Sequence, residues 1–338
     1  MVVVDGVDYA SLRLALWEDP GPRGEVTAWV EGRLAERGGR VLPVPPRVRV
    51  RPWSTTARFA TTLGTVWFKA GAPGADFEAA LAGALHAWAP GRVLTPIAVD
   101  AKRGWALLPD GGPPLVDLLG RSRDLSMWGS VLRAYAQLQR ALVGRVRDML
   151  ALGVPDLRPA RLGTLLDELL ADRGVSAQLG PARTDVEAFR PEFERIRARL
   201  ASSAVPPSLD HSDLNMGNVF LLEGGYRFVD WGDASVAHPF TSLLVPLRFA
   251  AAEYGASPAE LERLRDAYLE PWSDTGSMPE LRDEAQAALR LGPVSRALAW
   301  GRVFPELGPQ VRRARDASMA AWLRTLATGD LGVPFRDA

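Results

Sequence analysis

One short segment, set in a region that otherwise reads as helix, restricts the fold more than any other. Val219-Phe220-Leu221-Leu222 has the letters of a strand, Glu223-Gly224-Gly225 those of a turn, and Tyr226-Arg227-Phe228-Val229 those of a returning strand. Pairing Leu222 with Tyr226 sets Val219 against Val229 and then Asn218 against Asp230. Opposed residues of an antiparallel pair lie roughly 4.5–5.5 Å apart. The expected hairpin therefore holds an amide oxygen beside a carboxylate at its open end, with Asp213 one loop away. Two protein oxygens, completed by water and the phosphates of a nucleotide, suit Mg²⁺, which takes few protein ligands. Taken singly, Asn218 or Asp230 reads as a residue that caps a turn. Their conjunction with Asp213 argues for a site.

A chain of 338 residues is too long for one compact core, so two lobes are expected. Its formal net charge is zero, which offers no electrostatic footprint for nucleic acid. There is no cysteine, so thiolate chemistry and disulfides are excluded. The start, Met1-Val2-Val3-Val4-Asp5-Gly6, lacks the basic n-region of a signal peptide, and no run reaches the ~18 apolar residues of a membrane span. A cytoplasmic location is the resulting expectation. Lysine is nearly absent: only Lys69 and Lys102 occur among 40 basic residues. Lys69 closes the apolar strand-like run Thr65–Ala70, where a compact ammonium rather than a planar guanidinium suggests a chemical requirement. Lys102 sits in the turn-like Asp100–Gly104.

Periodicity places a helix at about Gly24–Arg37, strands at Val48–Arg51, Arg58–Thr62 and Val66–Lys69, and a helix at Asp76–Trp88. Pro52-Trp53-Ser54-Thr55-Thr56 reads as the link between the first two strands, and Thr95–Val99 and Trp105–Leu108 as two more strands. The densest Pro/Gly cluster, Pro109–Pro114, then changes the character of the chain. Beyond it helices are expected at about Ser126–Leu150, Leu162–Ala171, Val186–Ala201, Pro258–Glu270, Glu280–Leu291, Val294–Trp300 and Gln310–Thr325, with Gly292-Pro293 separating the fifth from the sixth. The expected class is α+β: a small β-rich lobe over 1–108, a hinge at 109–114, and a helical lobe over 115–338 carrying the hairpin.

His211-Ser212-Asp213-Leu214-Asn215-Met216-Gly217-Asn218, Asp230-Trp231-Gly232 and the strand ending at Lys69 resemble the aminoglycoside phosphotransferase and choline-kinase-like group, within the protein-kinase-like fold. The lobe order matches too, so the resemblance covers roughly Arg47 to Pro239. It implies a two-lobed fold and an ATP-dependent small-molecule kinase using Mg²⁺, with GTP not excluded. It further implies that Asp213 is the base for the acceptor hydroxyl, that Asn218 and Asp230 hold Mg²⁺, and that Lys69 contacts the α- and β-phosphates. Glu78 is the first candidate for the acid paired with Lys69, with Asp76 second. His211 would be structural, bonding the backbone of the loop. Backbone at Leu107 and Leu108 would meet the adenine edge. A glycine-rich phosphate loop is absent, leaving Ser54, Thr55 and Thr56 as candidate phosphate contacts.

The acceptor is less constrained. Asp233 and His238, just after the metal motif, are candidate acceptor-site residues. Residues 251–290 hold nine acids against four arginines, so Asp266 and Glu270 are candidates for a wall that binds a cationic amine such as an amino sugar, an aminoglycoside or a choline-like compound. Solvated helix faces explain the same letters. Trp272 and Trp300 read as core tryptophans or as stacking platforms. No nucleic acid, membrane or protein partner is implied. The alternatives are a protein-directed kinase, which the missing A-P-E segment disfavours, a silent pseudokinase acting as a nucleotide sensor or scaffold, and a helical binding protein with a coincidental hairpin.

Overall fold

A computed structural model describes residues 3–4, 7–8, 20–51, 53–120, 124–302 and 308–333. Pro52, and all of the Met1–Gly6 stretch except Val3 and Val4, lie outside the described residues. The strands β1 (Arg47–Val50), β2 (Ser54–Thr61), β3 (Gly64–Gly71), β4 (Ala98–Asp100) and β5 (Trp105–Pro109) form one antiparallel sheet in the order β1-β2-β3-β5-β4. Strand side chains alternate between faces. One face presents Ala57, Phe59, Val66, Phe68 and Leu107, which pack on Val26, Val30 and Leu34 of helix α1 (Pro20–Ala35). Burying each such aliphatic or aromatic side chain stabilises by about 1.5–3 kcal/mol. The register pairs Thr56 with Lys69 and Lys69 with Ala106, so these three share the opposite face.

Ser54–Thr56 differ from the expectation of a linking loop: they open β2. Arg51 N–H donates to Ser54 O at 2.7 Å, closing a turn tight enough to start the strand at Ser54, and the β-branched threonines suit the pleat.

Helix α2 (Phe77–Trp88) follows β3 and buries Phe77, Leu81 and Leu85 in the large core of the helical part rather than in the small core of the sheet. That core is built on α3 (Ser126–Leu142), α4 (Pro159–Ala171), α5 (Arg190–Ala201), α6 (Leu244–Tyr254), α7 (Pro258–Leu269), α8 (Met278–Trp300) and α9 (Gly308–Thr328). Helix α8 runs through Gly292-Pro293 without the expected break. A proline inside a helix removes one backbone hydrogen bond, but burial on both sides of it, at Leu289, Leu291 and Val294, outweighs that loss. Gly292 approaches so closely that a Cβ there would lie 2.8 Å from Leu244 Cδ2.

Two ladders interrupt the helices: β6 (Ser208–Asp210) pairs with β9 (Ser235–Ala237), and β7 (Val219–Leu222) pairs with β8 (Gly225–Phe228). The β7–β8 hairpin forms where expected, one residue out of the expected register. Leu222 pairs with Gly225, and Val219 with Phe228. Gly224 and Gly225, at φ 81° and 113°, allow a tighter turn. The observed register brings Val219 and Phe228, both fully buried, together on the core face. Asn218 consequently opposes Val229, whose N–H it accepts at 3.1 Å, and Asp230 lies one step beyond the ladder in a left-handed conformation, φ 67°.

Phe228→Ala is expected to cost about 3–5 kcal/mol in chemical denaturation, as for other fully buried aromatic rings, whereas Leu221→Ala on the exposed face should cost about 0.5 kcal/mol.

Candidate active site

Lys69 leaves β3 on the face away from the sheet's core and meets two acids. Its Nζ lies 2.5 Å from Glu78 Oε1, on the first turn of α2, and 2.6 Å from Asp230 Oδ1, past the hairpin. Glu78 Oε1 also accepts the Trp231 N–H at 3.0 Å. Burial pulls the Lys69 ammonium down, but the Asp230 and Glu78 carboxylates outweigh it and hold the pKa above its ordinary value. Burial pushes Asp230 up, and the adjacent Lys69 charge reverses that, leaving the carboxyl below the usual carboxylate range. Glu78, rather than Asp76, is therefore the acid that reaches Lys69.

The loop carrying Asp213 is tied from beneath. Asp210, at the end of β6, accepts the Ser212 N–H at 2.9 Å and the Ser212 and Ser242 hydroxyls at 2.6 Å each. This fixes Ser212 at φ 58°, a conformation that costs a non-glycine residue about 1–3 kcal/mol. His211 is fully buried, its Nε2 2.9 Å from the Val229 carbonyl and its ring 4.7 Å from that of Trp231. Burial lowers its pKa, so the ring is neutral and donates to that carbonyl. A further buried network supports the loop: Gln139 Nε2 donates to Leu209 O at 2.7 Å, and the Tyr135 hydroxyl donates to the same carbonyl at 3.0 Å.

Arg296, deep in α8, reaches this loop from about 80 residues downstream. Its Nη1 donates to Asp233 Oδ2 at 2.9 Å and to the Ser212 carbonyl, and its Nη2 lies 3.9 Å from Asp213 Oδ1. Asp213 remains 38% exposed to the cleft, yet the protein packed round it pushes its pKa up to about 7. Arg296 works against that rise, and Asp233 and Asp230 add to it. The Asn218 amide donates to the Asp213 carbonyl at 2.9 Å and to its carboxylate at 3.2 Å, which leaves the amide oxygen as its free end.

Two connected cavities separate the sheet from this loop. The larger, about 490 Å³, is lined by Ser54, Thr56, Lys69, Glu78, Leu108, Asn218 and Asp230, and also by Arg49 and Arg51 of the sheet. The smaller, about 220 Å³, is lined by Asp213, Asp233, Arg296, Arg302, Trp53 and Trp300. Trp53 and Trp300 meet edge to face at 5.8 Å between the sheet side and the helical side. Arg302 Nη1 donates to the Gly232 and Ala234 carbonyls at 3.0 and 3.2 Å.

Most of the candidate residues thus converge, and several do not. Thr55 is buried on the other side of β2, and Leu107 is fully buried in the sheet's core with its carbonyl taken by the Ile97 N–H at 2.7 Å. Leu108, Pro109 and Gly111 line that end of the cavity instead. His238 is buried with Nε2 2.9 Å from Glu284, and its Nδ1 accepts the Phe240 N–H. Asp266 is bound by Arg282 at 2.8 Å and Glu270 by Arg133, and neither lines the cavities. Trp272 is core, whereas Trp300 faces the smaller cavity. Sequence reasoning missed Arg49, Arg51, Asp210, Arg296 and Arg302. Only the alternation Arg47-Val48-Arg49-Val50-Arg51 carries a local signal, a period-two row of cations on one strand face.

The donor set fits a hard divalent cation. The Asn218 amide oxygen and the second Asp230 oxygen have no protein donor among the described residues, and both residues line the larger cavity. Among the described residues no group of three or more His, Cys, Asp or Glu side chains could hold a metal alone. Mg²⁺ bound through one or two protein oxygens, phosphates and water makes no such demand.

The model of the phosphotransferase enzyme family matches residues 55–286. Among solved structures, the chain is similar to a macrolide 2′-phosphotransferase type I at 17% identity, over 86% of this chain and 95% of that one, with a TM-score of 0.52. A macrolide 2′-phosphotransferase from Brachybacterium faecium matches at 19% identity over 86% and 97%, with a TM-score of 0.51. An ethanolamine kinase from Plasmodium vivax matches at 12% identity over 84% and 81%, with a TM-score of 0.54. At such identities the likeness shows the fold, a small antiparallel sheet lobe on a helical lobe as in protein-kinase-like enzymes. No curated protein matches the sequence.

Removing one member of a buried ion pair strands the others. Arg296→Met, which leaves Asp233 and Asp213 facing each other without their cation, is expected to lose about 3–5 kcal/mol in urea denaturation, with Arg296→Lys recovering only part of it.

Proposed function

The chain belongs to the phosphotransferase enzyme family, and from that premise we propose that it transfers the γ-phosphoryl group of ATP to a hydroxyl of a small molecule. The observation that carries this reading is one carboxyl, Asp213, poised at about 7 and opening onto the cavity that Lys69, Glu78 and Asp230 line from the other side. A base with that pKa is matched to neutral pH. Asp213 orients the acceptor hydroxyl and takes its proton as the oxygen bonds to the γ-phosphorus and the bond to the bridging oxygen of ADP breaks.

Lys69, held by Glu78, would contact the α- and β-phosphates, and Ser54 and Thr56 share its cavity. Asn218 and Asp230 would hold Mg²⁺, which supplies charge neutralisation for the phosphates. Arg296 fixes the Ser212 carbonyl and faces the base, so it positions Asp213. Asp233, bound to Arg296, lines the smaller cavity, which is the acceptor's place in this reading. At about 220 Å³ that cavity suits an acceptor smaller than a drug-sized ligand, for which pockets start near 300 Å³. An amino sugar or other cationic amine remains a proposal that now rests on Asp213 and Asp233, because Asp266 and Glu270 do not reach the site.

Asp213→Asn is expected to reduce acceptor-dependent ATP consumption on the order of 10²–10⁴-fold, with Mg·ATP affinity nearly unchanged by calorimetry. Asp230→Asn should instead weaken the metal-dependent binding itself. Acceptor-dependent turnover persisting at the wild-type rate in Asp213→Asn contradicts the assignment, and wild-type protein that binds Mg·ATP without ever transferring phosphate is what a silent sensor predicts.

A further inference from the structure

The sheet side of the larger cavity has no glycine-rich loop to wrap phosphates in backbone N–H groups, yet it is not bare. Arg49 and Arg51 lie two apart on one strand edge, on the face where Thr56 pairs with Arg49 across β1–β2 and with Lys69 across β2–β3, and both arginines line the cavity. Lys69 is already neutralised by Glu78 and Asp230. The two arginines are not: among the described residues neither side chain has a carboxylate partner, and the Arg51 Nε is buried with no hydrogen-bond partner at all. Burial and the neighbouring Arg49 charge hold the Arg51 pKa below its ordinary value.

Two like charges held side by side, one with a buried unmet donor, are destabilising until an anion joins them. Guanidinium groups match phosphate oxygens with paired, charge-assisted N–H bonds. We propose that Arg49 and Arg51 form a side-chain phosphate clamp that takes the place of a glycine-rich loop and grips the β- and γ-phosphates of the nucleotide. This rests on the phosphotransferase reading above and deepens it. The clamp makes nucleotide affinity depend on phosphate number and on ionic strength more steeply than a backbone loop does, because it works through full charges.

Calorimetric titration with Mg·AMP-PNP and with AMP tests it, at low and at raised salt, on the wild type, Arg51→Gln, Arg49→Gln and Arg51→Lys. Arg51→Gln is expected to weaken Mg·AMP-PNP on the order of tenfold, to leave AMP little affected, and to flatten the salt dependence. Arg49→Gln should act in the same sense, and Arg51→Lys should restore part of the loss. Equal losses for AMP-PNP and AMP assign the arginines a structural role and overturn the clamp, as does unchanged AMP-PNP affinity in both glutamine variants. Wild-type protein that fails to bind Mg·AMP-PNP overturns the phosphotransferase reading itself, an outcome distinct from variants that bind as well as the wild type.

Discussion

The contact of Lys69 with Glu78 and Asp230 is the interaction on which the rest depends, because one ammonium ties together three segments far apart in the chain. Lys69 belongs to the sheet, Glu78 to α2, and Asp230 to the turn after the hairpin. A buried ammonium or carboxylate alone is costly, and each is tolerated only while its partners are in place. The position of α2 therefore decides whether the site exists. That helix is anchored from the other side, since Phe77, Leu81 and Leu85 belong to the core of the helical lobe. The ion triad and the apolar packing of α2 thus set the distance between the lobes together.

A second constraint acts on the Asp213 loop. Among the described residues, the two non-glycine residues with positive φ are Ser212, just before Asp213, and Asp230 itself, and such conformations persist only where the surroundings over-determine them. Asp210 holds the first through two hydrogen bonds, and Lys69 and the Glu78–Trp231 bond hold the segment around the second. Arg296 then sets the electrostatics: it is the cation against which Asp213 and Asp233 are balanced. Strain, hydrogen bonding and charge converge on one carboxyl that is left open to the cleft.

What the sequence makes legible here are features that local letters determine. The lobe order, the hairpin, and the polar residues at its ends follow from periodicity and turn chemistry over short spans. The failures are equally physical. The hairpin slipped by one because Gly224-Gly225 supports two turn lengths, and only burial of Val219 with Phe228 selects between them. Helix α8 kept its proline because tertiary packing on Leu244 outweighs a lost backbone bond. Leu107 and Leu108 differ in face by strand alternation, which a motif position does not encode. Asp266 and Arg296 sit more than thirty residues past the motifs on helices whose charged letters look alike; Arg296 is buried beside Asp213 and Asp266 is paired with Arg282 at the surface. Nothing short of the fold separates them.

The central claim is that Asp213 delivers a hydroxyl oxygen to the γ-phosphorus. Phosphorus NMR of the protein turning over Mg·ATP with a panel of small hydroxyl compounds observes that step directly. The account predicts ADP together with a phosphate-ester resonance that appears only when a hydroxyl acceptor is present. A phosphoramidate resonance, or inorganic phosphate as the sole product whichever acceptor is supplied, would contradict it.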